Sequence, residues 1–307
     1  MTDVLTQRLQ PLLCRIYFSW IAAPLTLVLF ALEFGLCLTP SFAWRMISAA
    51  LGALSAPRDK DRTRAQQVRL AVKLAASGWL TDWGYHICGW AFAMLGIRLH
   101  EDVPPELLLT PGEQFVLVAN HQNVLDALLY LRLAKRLKLN VTWAAKKGLG
   151  WVPVVGWSLV AVDAAFLRLK GDPLDLERVR DSARLAQRDG FTGCILPEGH
   201  RQGGKAHANG RVIGKVRTNG FVMVCNQMRG LRVLEVQNDC SNRRAKTIWD
   251  VHMLVGVDIR VSVFAHTGVT TLPDDQKAEW LIETFERMDR RMRGSRAYSR
   301  ADNSAAA

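Results

Sequence analysis

A chain of 307 residues with 49% hydrophobic content can build a sizeable core, as one large domain or two small ones. Its formal net charge of +12 calls for an acidic partner, with nucleic acid and an anionic membrane surface as the candidates. Six cysteines (Cys14, Cys37, Cys88, Cys194, Cys225, Cys240) without a CxxC or a close pair argue for a reducing compartment, and against a disulfide framework or a zinc cage.

Near the start, "IYFSWIAAPLTLVLFALEFGLCL", Ile16 to Leu38, holds one charge, Glu33, and one proline, Pro24, in 23 residues. About 20 apolar residues cross a bilayer core, so a retained helix that spans or re-enters a membrane is expected here, within an anchor over residues 1–54. Arg8 and Arg15 precede the run, whereas Arg45, Arg58, Lys60, Arg62, Arg64, Arg69 and Lys73 follow it. That excess predicts that everything after residue 40 faces the cytoplasm. "SAPRDKDRTRA" (55–65) is a solvated connector. A helical stretch from Gln66 to Leu99 follows, with Trp79, Trp83 and Trp90 at spacings that suit either a headgroup layer or packing on the next domain. Residues 55–109 are thus a connector and an interfacial helix.

From about residue 110 strands and helices alternate. "FVLVAN" is a strand and "HQNVLDALLYLRLAKRL" a helix, with Asn120 as its N-cap; "NVTWAA" is the next strand. "DPLDLERVRDSARLAQRDG" is a helix that starts near Asp172 and stops at Gly190. "FTGCIL", ended by Pro197, "LRVLEVQ" and "IRVSVFA" are later strands. "DDQKAEWLIETFERMDRRM" is a last amphipathic helix, with Ala278, Ile282, Phe285 and Met292 near one face. The expectation is an α/β domain over residues 110–292, a mostly parallel sheet between helix layers, and a disordered tail over 293–307.

Ligands of open α/β sheets bind beyond the carboxyl ends of strands. Two such ends carry chemistry: Asn120-His121 after "FVLVA", and "PEGHR" (197–201) after "CIL". Asp126, about one helical turn beyond His121, can fix the imidazole tautomer and make it a base. Arg201 offers a fork for phosphate, and Gly199 lets backbone approach a ligand. Taken alone, "HQNVLD" fits a capping histidine and a helix aspartate equally well.

In combination these segments resemble a known family. "NHQNVLD" is similar to the NHx4D motif, and "PEGHR" to the PEGTR motif, of the lysophosphatidic acid acyltransferases. "KKGLGWVPVVGWSLVAVDAAFLR" (146–168), "GKVRTNGF" (214–221) and the closing "LPDDQKAEWLIETFERMDRRM" resemble blocks of the branch with lysocardiolipin acyltransferases and their bacterial inner-membrane relatives. The resemblance implies a glycerolipid-acyltransferase-like αβα sandwich. It also implies that His121 is the general base, that Asp126 orients it, and that Glu198 and Gly199 shape the acceptor pocket. Arg201 would hold the glycerol phosphate, and Lys146, Arg168 and Arg217 would add positive field. Pro153, Gly156 and Trp157 would build the turn and wall of a tunnel. His200 stands where threonine is usual, which leaves the acceptor headgroup open. Asn123 stands for serine and Asn219 for lysine.

The implied reaction moves an acyl group from acyl-coenzyme A or acyl carrier protein to the sn-2 hydroxyl of lysophosphatidic acid, or of lysophosphatidylglycerol or lysocardiolipin. No cofactor and no metal are expected. The implied setting is the bacterial inner membrane, with the catalytic domain facing the cytoplasm. Among rivals, a serine nucleophile lacks a GxSxG elbow, and Cys194 reads as a buried strand cysteine. Glu198, His200 and His207 stand among basic residues that would repel a cation. His86, His100, His252 and His266 are isolated and read as structural or exposed. No helix-turn-helix, zinc-finger or RNP-like signature supports nucleic-acid binding. A basic membrane-surface protein is the reading without chemistry.

Overall fold

The structure, a computed structural model, describes residues 39–57, 59, 61–108, 112–123, 125–168, 172–199, 213–241 and 253–305, with side chains to residue 294. The apolar run Ile16–Leu38, Arg201, His200 and His207 lie outside the described residues. Among the described residues no helix is long and apolar enough to cross a membrane.

The described chain opens with two helices, α1 (Thr39–Ser55) and α2 (Arg64–Leu95). Thr63 caps α2 in a capping box with Gln66, and Gly96, at φ +62°, ends it. The helix therefore stops before the Leu99 expected from composition. β1 (Arg98–Asp102) follows at once and belongs to the sheet, so the α/β unit begins before residue 110. Its polar sequence "RLHED" hid it, because an edge strand needs little apolar surface.

After the short α3 (Pro105–Leu108) come β2 (Phe115–Ala119), α4 (Asp126–Arg136), β3 (Val141–Lys146), a 3-10 turn (Lys147–Trp151) and α5 (Val155–Ala161). β4 (Ala165–Leu167), α6 (Leu174–Asp189), β5 (Thr192–Ile195), α7 (Thr218–Gln227), β6 (Arg232–Cys240) and β7 (Asp258–His266) lead to α8 (Asp274–Ala305). The backbone of α8 stays helical past residue 292, where disorder was expected; the added turns are rich in arginine and alanine, which propagate a helix well. Its inner face is Leu281, Phe285, Met288 and Met292, while Ile282 points outward.

The sheet order is β1-β7-β6-β2-β5-β3-β4. β6, β2, β5, β3 and β4 are parallel; β7 runs antiparallel to β6 and carries β1 with it. The chain moves outward from β2 to β3 and β4 through α4 and α5. It then returns through β5 to β6 by α6 and α7. Right-handed crossovers put the two pairs of helices on opposite faces. The direction of travel reverses between the neighbours β2 and β5, so a crevice opens beyond their carboxyl ends.

Close packing fixes α2 to the sheet unit. Gly84 leaves only 2.4 Å between a hypothetical Cβ and the Leu131 Cβ of α4, so no other residue fits there. Trp79 is buried, stacked on Trp83 at 6.1 Å and edge-on to Phe42 of α1 at 5.3 Å; it is a packing residue, and of the three tryptophans only Trp90 is exposed. Lys73 of α2 is 1% exposed, with its Nζ 3.0 Å from Asp189 and 3.1 Å from Asp163. Across the molecule, the buried Glu235 of β6 is paired with His266 of β7 at 2.9 Å and Arg291 of α8 at 3.1 Å. His266 is therefore a structural partner, and α8 is tied to the sheet by charge as well as by apolar contact.

Candidate active site

β2 is buried along its whole length because it is a central strand covered on both faces. It delivers Asn120 and His121 to the crevice at its carboxyl end. The helix after it starts only at Asp126, so Asn120 does not cap it. Instead, Asn120 Nδ2 donates to the Asn238 carbonyl at 2.8 Å, and Asn120 Oδ1 accepts from the Asn238 amide at 2.8 Å, locking the end of β2 to β6. The Tyr130 hydroxyl donates to the Asn120 carbonyl. Burial, then the Asp126 and Glu198 carboxylates, hold that phenol well above its ordinary pKa.

Asp126 is the hub. Its fully buried carboxylate folds back over the loop that precedes α4, and Oδ2 accepts the amides of Gln122 at 2.5 Å and Asn123 at 2.9 Å. The same oxygen lies 2.9 Å from His121 Nδ1, while Oδ1 accepts Asn238 Nδ2 at 2.6 Å. With its second nitrogen engaged, the ring presents Nε2, which has no partner among the described residues. His121 keeps 14% of its side chain exposed, so Nε2 is reachable from the crevice.

Glu198 closes the other side. Its Oε1 accepts the His121 amide at 2.8 Å and its Oε2 the Gly214 amide at 3.3 Å, joining the loops after β2 and β5 to the approach to α7. Gly199 follows with φ +66°. The guanidinium of Arg217 passes 3.7 Å from where a Cβ on Gly199 would stand, and the Arg217 amide donates to the Pro197 carbonyl at 3.0 Å. The structure thus gathers His121, Asp126, Glu198, Gly199 and Arg217 at the reversal point. Lys146, exposed at the end of β3, and Arg168, just past β4, lie on the same sheet edge but farther along it. Arg168 Nε is 3.3 Å from Asp172, which takes up part of its charge. Trp157 is half exposed. Among the described residues no cluster of His, Cys, Asp and Glu could hold a metal.

Asn238 gave no signal in the sequence, and the final helix gave its apolar face but not its place behind the crevice. Met292 Sδ lies 3.1 Å from Gln122 Nε2, and Asp289 accepts the Ile213 amide at 2.9 Å, so α8 backs the crevice. Replacing Asn238 with alanine removes a donor to a buried carboxylate, a bond worth roughly 1.5–3 kcal/mol. Steady-state kinetics of Asn238→Ala should show kcat about 10- to 100-fold lower with KM nearly unchanged.

The cysteines lie apart from this chemistry. Burial pushes the Cys88 and Cys225 thiols up to about 12, and Cys194 well above its ordinary value. Cys240 is buried as well. A thiol-reactive dye should leave these four unmodified in the native protein and label them in denaturant.

An acyltransferase family model matches residues 97–234. The chain is 28% identical to an uncharacterized acyltransferase of Schizosaccharomyces pombe over 123 residues. That match takes in 40% of this chain and 42% of the yeast protein, so the shared part is about two-fifths of the relative. In fold it is similar to the crystal structure of the 1-acyl-sn-glycerophosphate (LPA) acyltransferase PlsC from Thermotoga maritima, with a TM-score of 0.53 and 16% identity over 93% of this chain and 98% of that one. The family model spans β1 to β5 and reaches into β6, the strands that build the crevice, so residues 97–234 are similar to the acyltransferase family, and the fold as a whole is similar to that of PlsC.

Proposed function

We propose that this protein transfers a fatty acyl group from acyl-coenzyme A or acyl carrier protein to the sn-2 hydroxyl of lysophosphatidic acid, giving phosphatidic acid. The observation that carries the reading is His121, held through Nδ1 by Asp126 and open at Nε2. Nε2 takes the hydroxyl proton as the oxygen attacks the thioester carbonyl carbon. The tetrahedral adduct then expels the thiolate, which recovers the proton from the imidazolium. One ester forms, one thioester breaks, and a free thiol leaves. No covalent enzyme intermediate is needed, since the thioester is already activated. Gathering both substrates beside one base supplies several kcal/mol, about 7 to 11 at best.

Arg217 over Gly199, with Arg201 two residues beyond, suits the acceptor phosphate, and Lys146 extends that positive edge. The proposed setting is the cytoplasmic face of a membrane. Trp44, Ile47, Leu51 and Leu54 repeat every three or four residues along α1 and are all exposed, a stripe suited to lipid, and the net charge of +12 suits an anionic surface. Acylation of lysophosphatidylglycerol or lysocardiolipin is the second reading, left open by histidine in place of threonine at position 200.

The test is acyl transfer by purified protein in lipid with each of the three acceptors and both donors. Lysophosphatidic acid should be acylated fastest. A faster rate with lysocardiolipin or lysophosphatidylglycerol would favour the second reading, and failure to acylate any of the three would sink both.

A further inference from the structure

The turn between β3 and β4 carries an apolar surface that the chemistry of His121 leaves unused. From Gly148 to Val162 the chain has no charged residue, and its single hydroxyl, on Ser158, is buried and donates to the Val154 carbonyl at 2.7 Å. Trp151 is 84% exposed, Val160 59% and Trp157 50%. Leu149 and Val152 are exposed as well. Single exposed apolar residues are ordinary on a soluble surface, but five within twelve positions make a patch that marks an interaction site.

The patch is held rigidly. Val154 sits at φ +61° in a γ-turn closed by the Val155 amide on the Pro153 carbonyl at 2.6 Å. A Cβ on Gly156 would come within 2.3 Å of the Gly150 carbonyl oxygen, so the 3-10 turn is pressed against the start of α5. A β-branched residue rarely adopts such a backbone, and it persists here in a turn that keeps two tryptophans in solvent.

We infer that this turn, Leu149 to Val160, is a membrane-inserting wedge that seats the carboxyl edge of the sheet on an anionic bilayer, separately from α1 and the residues before it. The inference rests on the lipid acceptor proposed above. Three observations favour a bilayer as the occupant. Tryptophan and aliphatic side chains together suit the interface between headgroups and chains. Exposed Lys146 and Lys147 precede the patch and have no carboxylate partner among the described residues, which matches anionic headgroups. A second copy of the chain across the patch would bring the same lysines towards each other. The wedge also follows β3, which neighbours β5, so a lipid acceptor would travel only two strands along the sheet edge to reach the base after β2.

The test uses the full chain with vesicles of phosphatidylglycerol and phosphatidylcholine carrying brominated acyl chains. Bromolipid should quench Trp151, seen as a smaller quenched fraction in Trp151→Phe than in the native protein. In Trp151→Glu with Val160→Glu, the docked orientation should be disfavoured roughly tenfold for each inserted side chain. Transfer to lysophosphatidic acid in vesicles should fall accordingly, while transfer to the same acceptor in detergent micelles stays at the native rate. Equal quenching in native and Trp151→Phe protein would overturn the wedge. So would Trp151 emission already shielded from aqueous acrylamide without lipid, since the patch would then be covered by residues 1–38 or by a second copy. If no acceptor is acylated in any medium, the proposed activity fails, and the quenching result still decides the wedge.

Discussion

Replacing His121 with alanine should lower acyl transfer roughly 10²- to 10⁴-fold, the range that general-base catalysis contributes. Folding should change little. The His121 amide keeps its bond to Glu198 whatever the side chain, and the Asp126 carboxylate retains the Gln122 and Asn123 amides and Asn238 Nδ2. Rates for native and His121→Ala protein, measured under saturating donor, check this, with circular dichroism to show that the fold is kept. The loss should appear in kcat, because a base acts on the hydroxyl in the transition state and adds little to ground-state binding.

Lys73→Met should carry the largest cost in stability, about 3–5 kcal/mol, and none of its effect should be specific to chemistry. Lys73 Nζ stands between Asp163 and Asp189 and 4.5 Å from the centre of the Phe191 ring, so methionine would leave carboxylates facing an apolar neighbour. The effect should depend on pH. Burial raises the Asp189 pKa, but Arg188 and Lys73 together outweigh it and hold the carboxylate below its ordinary range. A depressed carboxylate stabilises the fold above about pH 4 and loses that contribution as pH falls through the folded value. Urea unfolding at pH 7 should therefore separate native protein from Lys73→Met widely, and the gap should narrow in acid. A gap of constant size would mean that Lys73 acts by packing alone.

Both halves of the His121–Asp126 pair could be read from the sequence, because a local spacing and a strand end suffice to bring them together. So could β2 and β5, whose apolar runs stop at Asn120 and Pro197. What escaped depends on distance along the chain. Asn238 reads as the polar end of a strand, and only the parallel pairing of β6 with β2 brings it to Asp126. Asn120 looked like a cap because asparagine before a helical pattern usually is one; here its side chain reaches across to β6 instead, and the helix starts later. β4 is three residues long and β1 is polar, so neither offers the periodicity that reveals a strand. The tryptophans show the same limit. Trp79 and Trp83 share a helix face at legible spacing, yet only packing against α1 decides that Trp79 is core.

The most direct test of His121 acting on the acceptor hydroxyl is a rapid-quench experiment with protein and acyl-coenzyme A in equal amounts, with and without lysophosphatidic acid. Released thiol and acylated protein would be followed together. Thiol released only when the acceptor is present, matched by phosphatidic acid and lost in His121→Ala, is the predicted result. Thiol released without acceptor, with the acyl group found on the protein, would contradict direct attack by the hydroxyl. Equal transfer by native and His121→Ala protein would contradict the assignment of the base.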